Sequence, residues 1–354
     1  MRKISNYSKS GSISCEKPPR KTQPIRSPMK PTCVYDSYWR FAAERQCVFF
    51  RRFRGQPEPW TSDPIIQQHK FTNAYRASDR VSQYLIRNVI YSVNISIVDT
   101  FFRILLFKLF NKIETWELLT QEFGVITWAD FKLSAFDKCL SQAMSRNVRI
   151  YSAAYIMPSG GKIPKRKHLV HLELLQYMMK EDLPKKISHA KTMQQAFGYL
   201  RQMPGIGDFL AYQYVTDLNY SHITDFSETS FVVPGPGAKN GIRKCFSDFG
   251  GLSEIEIISW MCEHQEGEFK RLGIEFLTLW GRPLQLIDCQ NLFCEVDKYA
   301  RVAHPDVQGV TQRTRIKQIH KPDYSPISYF YPPKWGLNKH IAASLTKIHA
   351  GRSE

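Results

Sequence analysis

The sequence predicts a mainly α-helical protein with a helix-hairpin-helix turn and a disordered, basic N-terminal tail. Apolar residues recur at helical spacing along most of the chain, and patterns that alternate as in a β-strand are scarce. In addition, Met203-Pro204-Gly205-Ile206-Gly207 separates two apolar segments, as a tight turn between helices would. With 354 residues the chain can bury a sizeable core, in one large domain or in two modest ones.

The charge balance favours a polyanion as the partner. The chain has 49 Lys and Arg against 32 Asp and Glu, a net charge of +17, and neutralising phosphates supplies most of the sequence-independent affinity for nucleic acid. The apolar segment 97–110 contains three charged residues. It is also shorter than the roughly 20 residues that span a bilayer. Since the N-terminus has no apolar signal segment either, we expect an intracellular protein that binds DNA and no membrane.

The cysteine spacing argues against a bound metal. The eight cysteines include no Cys-x-x-Cys pair, so the sequence predicts neither a zinc nor an iron–sulfur site, and no cofactor. Two cations stay compatible with the sequence, a monovalent ion at the hairpin and a divalent ion bound together with pyrophosphate.

Composition divides the chain into four regions. Residues 1–31 are rich in Ser, Pro, Lys and Arg and cannot bury enough apolar surface to fold, so we expect a disordered tail. Residues 32–150 form an N-terminal helical part, and residues 151–305 form the part that contains the hairpin. Residues 306–354 form a basic C-terminal arm that is rich in Tyr and Pro.

The helices are predicted in chain order from apolar spacing and caps. The first runs from Tyr35 to Phe50 and ends before three arginines that we expect to contact phosphates, Arg51, Arg52 and Arg54. Asp63-Pro64 is an N-cap followed by proline at the first helical position, and Ser253-x-x-Glu256 is a capping box. The other predicted helices cover residues 81–89, 97–110, 112–123, 128–144, 169–179, 193–200, 209–218 and 288–301.

The hairpin has the chemistry of a phosphate-binding turn. Gly205 and Gly207 permit a tight turn, Met203 and Ile206 supply apolar contacts, and the free backbone N–H groups before the second helix can bind an anion. We expect these residues to bind a DNA phosphate. An ordinary turn between two helices is the alternative.

The residues after the hairpin, His222–Thr229 and then Pro234–Ala238, resemble the helix-hairpin-helix DNA glycosylase superfamily. The resemblance implies a DNA glycosylase-like helical fold with a catalytic aspartate at the mouth of a base pocket. Asp225 lies 21 residues after Pro204, about two short of the family interval, and Glu228 lies about one beyond it. Either acid is a candidate catalytic residue, and a capping role is the alternative for Asp225.

Two features depart from that superfamily. Phe209 occupies the position where bifunctional members carry a Schiff-base lysine, so lyase chemistry has no nucleophile there. The iron–sulfur cysteines are also absent from the sequence.

Four further blocks resemble a narrower group, the α-glutamyl/putrescinyl thymine pyrophosphorylases and the helical domain of 5-hydroxymethyluracil DNA kinases. The similarity spans roughly residues 35–320. The blocks are Pro59–Pro64, Phe71–Arg76 with Asp79-Arg80, Pro234–Ala238 with Gly241-Ile242, and Asp288–Asn291 with Cys294-Glu295, Asp297–Tyr299 and Arg301.

This second resemblance implies a reaction on DNA, in which an amine displaces pyrophosphate from an activated hydroxymethyl group on a thymine-derived base. Such chemistry needs cations for the leaving group and a base for the amine. The residues that the resemblance implies for binding substrate or pyrophosphate are Asn73, Arg76, Arg80, Gln290, Asn291, Lys298 and Arg301. A 5-hydroxymethyluracil DNA kinase is then an expected partner.

The spacing of the last block also predicts a helix, independently of the family resemblance. Asp288, Asn291, Glu295 and Lys298 are spaced so that a helix places them along one face. Asp288 and Glu295 are therefore candidate catalytic acids, and the amides of Gln290 and Asn291 could read a flipped base. A solvated polar face is the alternative.

Three functions follow from these features. The first is a transferase of DNA base hypermodification, in which Asp225 or Glu228 shares one pocket with the helix from Asp288 to Arg301. The second is a monofunctional DNA glycosylase, and the third is a non-catalytic DNA-binding module. A P-loop kinase is not predicted, because Ser159–Ile163 lacks the required spacing and terminal hydroxyl.

Overall fold

A computed structural model describes residues 28–152, 166–311, 313–321 and 328–350. The predicted mainly α fold is confirmed, since the regular structure of these residues is fourteen α-helices, a π-helix (Leu85–Ile90), two 3-10 turns and one short sheet. Residues 1–27 and the segment Ser159–Ile163 lie outside the described part. The helices are α1 (Cys33–Phe53), α2 (Pro64–Gln68), α3 (Arg80–Tyr84), α4 (Ile97–Phe110), α5 (Ile113–Phe123), α6 (Leu133–Ser145), α7 (Lys167–Lys180), α8 (Leu183–Ser188), α9 (Met193–Arg201), α10 (Asp208–Asn219), α11 (Pro236–Cys245), α12 (Glu254–Arg271), α13 (Leu286–Ala303) and α14 (Asn338–Ala350).

The sheet changes the predicted boundary of the N-terminal tail. Strand β1 (Lys30–Pro31) pairs antiparallel with β2 (Phe246–Asp248), and Met29 is buried. Residues 28–31 are therefore structured, although their composition predicted disorder. Their backbone groups find partners in β2, and such a long-range pairing leaves no signal in local composition.

The helix caps follow the sequence. The Asp63 carboxylate accepts the N–H groups of Ile65 and Ile66 and starts α2. Ser253 and Glu256 form the expected capping box of α12. Helix α6 begins at Leu133, five residues later than predicted from Trp128. The Trp128 N–H is instead bonded to Asp99, at 2.8 Å.

Helices α4 and α10 lie in the centre of the core. The predicted burial of residues 97–110 is confirmed from Thr100 onward. These helices also carry buried charges, since Asp217 on α10 binds Arg76 at 2.8 Å and Lys108 on α4 at 3.1 Å. No helix that the structure describes is long and apolar enough to cross a membrane.

Helix α11 packs closely on α13 because two glycines face it. A Cβ at Gly237 would contact the Cys294 side chain, and one at Gly241 would overlap the backbone carbonyl of Phe293. The Pro234–Ala238 block with Gly241 is thus explained by helix packing, since only glycine allows this approach.

The residues after Ala303 fold back onto the body. Tyr331 is fully buried, and its hydroxyl bonds to Ser78 at 2.7 Å. A 3-10 turn, Pro333–Trp335, follows and leads into α14. The described part of the predicted C-terminal arm therefore contributes side chains to the interior.

Candidate functional site

The predicted hairpin lies between α9 and α10, at residues 202–207. Ile206 and Met203 are both buried, and the Ile206 N–H donates to the Met203 carbonyl at 3.1 Å. Gly205 has a φ of +73°, in the left-handed region that favours glycine. Gly207 is the N-cap of α10 and is exposed, without a side-chain cap.

The surface of the hairpin carries both signs of charge. Asp208, in the first turn of α10, forms an ion pair with Arg201, which also donates to the Ile206 carbonyl. Beside this pair the Phe209 ring lies directly against Gly235, the N-cap of α11. The first turns of α10 and α11 are therefore neighbours.

The three arginines that end α1 have partners within the protein. Arg51 binds Glu44 at 3.1 Å, the guanidinium of Arg52 lies 4.8 Å from the centre of the Trp60 ring, and that of Arg54 lies 5.6 Å from the centre of the Phe50 ring. All three stay partly exposed. These contacts orient the three cations.

Two acids of α13 hold the loop of residues 71–80. Glu295 accepts the Thr72 N–H at 3.0 Å, and Asp288 accepts the Arg76 N–H at 2.8 Å. Asp288 also caps its own helix by accepting the Gln285 N–H. Both acids are buried, so the alternative of a solvated polar face is wrong for them.

Charged side chains converge beside this loop. Arg45 of α1 donates to the Thr72 carbonyl and to the Asn73 side chain, and Asp79 accepts the Asn73 N–H at 2.8 Å. Glu295 binds Lys298 at 2.7 Å. We call Arg45, Asn73, Asp79, Glu295 and Lys298 the Arg45 cluster.

Burial shifts the proton affinity of the acids around the loop. Desolvation raises the pKa of Asp79 to about 7, although the Asn73 N–H opposes the shift. The same cause raises the pKa of Asp288 to about 7, against two backbone N–H donors. Burial also lowers the pKa of Arg45, which Glu295 and Asp79 counteract. A carboxyl with a pKa near 7 can exchange a proton at neutral pH.

Arg76 and Arg80, both predicted to bind substrate or pyrophosphate, lie in different environments. Arg76 is buried, and besides Asp217 it contacts the Tyr220 hydroxyl at 3.0 Å and Gln213 at 3.2 Å. This position supports the core, because the guanidinium is held by three buried protein groups. Arg80, at the start of α3, is exposed.

The acids after the hairpin join a second group. The Glu228 side chain is 8% exposed and binds Arg282 at 2.9 Å, and the Arg282 guanidinium lies 3.9 Å from the centre of the Trp335 ring. Asp225 is 85% exposed and lies 3.6 Å from Lys334. We call Asp225, Glu228, Arg282 and Lys334 the Glu228 cluster.

Burial also shifts the pKa values of groups in the Glu228 cluster. It raises the pKa of Glu228, against Arg282 and Lys334, and it lowers the pKa of Lys334, against Asp225 and Glu228. Lys334 donates to the carbonyls of Ser221 and Thr224 at 3.1 and 2.6 Å, and so fixes the loop that carries Asp225.

The shared pocket of Asp225 or Glu228 with the helix from Asp288 to Arg301 stays a prediction, although the Glu228 carbonyl does accept the Leu286 N–H at the start of α13, at 3.3 Å. Among the described residues, no contact joins Asp225 to Glu295, which belong to different clusters. The charge of Glu228 contributes to the raised pKa of Asp288. Loop 71–80 lies against the face of α13 that Asp288 and Glu295 share.

The other predicted binding residues of α13 differ in how far they are buried. Gln290 is fully buried and donates to the Cys294 sulfur at 3.2 Å, whereas Asn291 is half-buried. Arg301 binds Asp297 and the Arg315 carbonyl. The described residues contain no group of three or more His, Cys, Asp or Glu that could hold a metal ion.

Sequence reasoning missed Arg45, Arg282 and Lys334 as site residues. Arg45 and Arg52 are seven residues apart on α1 and so share a helix face, a spacing that could have drawn attention to Arg45. No local pattern marks Arg282 or Lys334, since both meet Glu228 only through the tertiary fold.

Comparison with known proteins identifies relatives of the chain. The family described as 5-hmdU DNA kinase, helical domain, matches residues 32–309. The 5-hmdU DNA kinase of Bacillus phage SP10 is 25% identical over 296 residues, which cover 77% of this chain and 46% of that protein. The chain thus spans about half the length of that curated relative. No solved structure matches.

Proposed function

The chain belongs to the family defined by the helical domain of 5-hmdU DNA kinase, and from this membership we propose that it acts on 5-hydroxymethyluracil in DNA during base hypermodification. The relative from Bacillus phage SP10 is named for the same base. The net charge of +17 suits a DNA substrate.

The reaction is displacement of pyrophosphate by an amine on the activated hydroxymethyl group of the base. The amine nitrogen forms a bond to the methylene carbon, and the carbon–oxygen bond to pyrophosphate breaks. The electron pair of that bond leaves with pyrophosphate, and the proton of the nitrogen goes to a carboxylate of the protein. The step therefore requires cations and a base side by side.

The Arg45 cluster is the single observation that carries this proposal. Arg45 and Lys298 supply positive charge for pyrophosphate, and Asn73 contacts both Arg45 and Asp79. Asp79 is the base, because a pKa of about 7 leaves a useful fraction of carboxylate at neutral pH. Glu295 positions Lys298 and the backbone of loop 71–80.

The hairpin holds the DNA in this proposal. Exposed Gly205 and Gly207 leave the backbone at the start of α10 open to a phosphate, and Arg201 neutralises Asp208 beside it. The enzyme must then take the base out of the duplex, as enzymes that act on bases do.

The test is incubation of the protein with duplex DNA that carries pyrophosphorylated 5-hydroxymethyluracil, with putrescine or an amino acid as the amine. Release of pyrophosphate and the mass of the nucleoside are measured together. We expect Asp79→Asn to slow the transfer by about a hundredfold or more, the usual contribution of a general base. Asp182→Asn, at the exposed aspartate between α7 and α8, makes the same chemical change and is the matched control, which keeps the wild-type rate.

Two other functions are outcomes of the same experiment. Release of free base would indicate a monofunctional glycosylase and would shift attention to the Glu228 cluster. DNA binding without any modified nucleoside, unchanged in Asp79→Asn, would indicate a non-catalytic module. Either result contradicts the transferase proposal.

A further inference from the structure

A cleft of about 910 Å³ lies on the side of α11 that faces away from α13. One wall is the exposed face of α11, with Pro236, Lys239 and Arg243. The opposite wall is the segment 308–311. Phe246 and Phe249 contribute aromatic surface. Neither candidate cluster described above contributes a residue to this cleft.

The wall of residues 308–311 is fixed to the fold. Buried Asn240 accepts the Thr311 N–H at 2.8 Å and donates to Asp297 of α13. Gly309 packs against the same asparagine so closely that a Cβ would overlap it. The cleft is therefore a preformed feature whose two walls are tied together through one side chain.

The cations of the cleft differ from those elsewhere on these helices. Lys244 and Arg301 are both paired with Asp297. Within the described ranges, by contrast, neither Lys239 nor Arg243 has a carboxylate partner. The Arg243 guanidinium lies 5.3 Å from the centre of the Phe249 ring, which orients it and leaves its N–H groups available.

Two acids also line the cleft, and both have local roles. Asp248 accepts the Gly250 N–H at 2.9 Å in the turn after β2. Glu254 lies in the first turn of α12, where a negative charge is stabilised by the helix dipole. The cations are one helical turn apart on α11, and so form a pair that an anion can bridge.

We propose that this cleft binds a nucleotide of a DNA strand, with phosphate on Lys239 and Arg243 and the base against Phe249. Aromatic rings and cations are the two components by which proteins bind single-stranded nucleic acid. The position favours a strand over a free nucleotide, because Phe209 of the hairpin helix touches Gly235 at the start of α11. A strand held at the hairpin can continue along the exposed face of α11.

The inference rests on the proposed DNA role and adds a second contact to it. The test is the binding of a short labelled oligothymidylate, measured by fluorescence anisotropy over a range of salt concentrations. Lys239→Gln combined with Arg243→Gln is expected to weaken binding about tenfold at low salt and to reduce the salt slope by about 1.4, the value for two phosphate contacts on a single strand. Phe249→Leu keeps apolar bulk without a ring and is expected to weaken binding about fivefold or more.

The control removes the same charge from a distant helix. Lys138→Gln combined with Arg146→Gln, both exposed on or next to α6, is expected to leave the salt slope unchanged. Thermal unfolding of all variants verifies that each is folded. Equal losses in the control and the cleft variant would overturn the proposal, as would wild-type binding by the cleft variant.

Competitors distinguish the strand from smaller ligands. We expect unlabelled oligothymidylate to displace the probe and thymidine diphosphate to do so only weakly. If inorganic phosphate displaced the probe as effectively as the unlabelled oligonucleotide does, the proposed contact with the base would be overturned. The base-transfer assay separates the two proposals. If the wild type shows no transfer but the cleft variant binds the strand more weakly, only the proposed reaction is refuted. If the wild type transfers normally but the cleft variant binds the strand as the wild type does, only the cleft is refuted.

Discussion

Asp288 and Glu295 lie seven residues apart on α13 and bind the same loop, since one accepts the Arg76 N–H at 2.8 Å and the other the Thr72 N–H at 3.0 Å. This pair attaches the Phe71–Arg80 block to the block that begins at Asp288. Two of the sequence blocks that mark the family are thus halves of one structural unit.

The first prediction concerns the anchoring role of Asp288. Asp288→Ala removes the acceptor for two N–H groups, one of which caps α13, so we expect a loss of about 2–4 kcal/mol in the free energy of unfolding. Asp288→Asn keeps one acceptor oxygen but turns an NH2 donor toward the other N–H, so it should cost about 1–2 kcal/mol, less than Asp288→Ala. Urea denaturation measures both, and equal losses would contradict an anchoring role.

Local patterns predicted the helices well and the partners of charged residues poorly. Periodicity placed α4, α9 and α10, and caps placed the starts of α2 and α12. The burial of Arg76 against Asp217 was not predictable, because the partners are 141 residues apart and neither lies in a charge pattern. The ion pair between Glu228 and Arg282 was not predictable for the same reason.

The second prediction is a pH dependence that comes from Asp79. Its pKa rises from 3.8 to about 7 on folding, so the folded protein binds the proton more tightly than the unfolded chain does. The stabilisation is complete below pH 3.8 and is lost as the pH rises through about 7. The loss per pH unit is at most about 1.4 kcal/mol.

Comparison with Asp79→Asn isolates this effect, since Asp288 titrates in the same range in both proteins. The stability of the wild type relative to the variant should fall between pH 4 and 7, measured by urea denaturation at several pH values. Transfer activity should rise over the same interval as the carboxylate forms. Parallel pH profiles of stability for the two proteins would contradict the shift.

The third prediction tests the buried charges around Asp217. Asp217→Asn leaves Arg76 and Lys108 buried without their common counter-charge, so we expect a loss of about 3–5 kcal/mol. Asp208→Asn makes the same chemical change in the exposed pair with Arg201 and should cost less than about 1 kcal/mol. If both variants unfolded at the same urea concentration, the network would not be a structural one.

The fourth prediction concerns the hairpin. Gly207 has a φ of −86° and open space where a Cβ would be, so Gly207→Ala should leave the unfolding temperature unchanged. The added methyl group would stand where we expect the DNA phosphate, and the affinity for duplex DNA should fall several-fold. Anisotropy at fixed salt measures the affinity, and wild-type affinity in this variant would argue for an ordinary turn between helices.

The last prediction separates two glycines that look alike in the sequence. Gly241→Ala would drive a Cβ into the backbone carbonyl of Phe293, so α11 and α13 must move apart at a cost of about 1–3 kcal/mol. Gly198, within α9, has nothing within 4 Å of its Cβ position. There alanine should stabilise the protein by about 0.5–1 kcal/mol, because it lowers the entropy lost on forming the helix. We therefore expect Gly241→Ala to lower the unfolding temperature and Gly198→Ala to raise it. An unchanged unfolding temperature in Gly241→Ala would show that α11 and α13 are less closely packed than the structure has them.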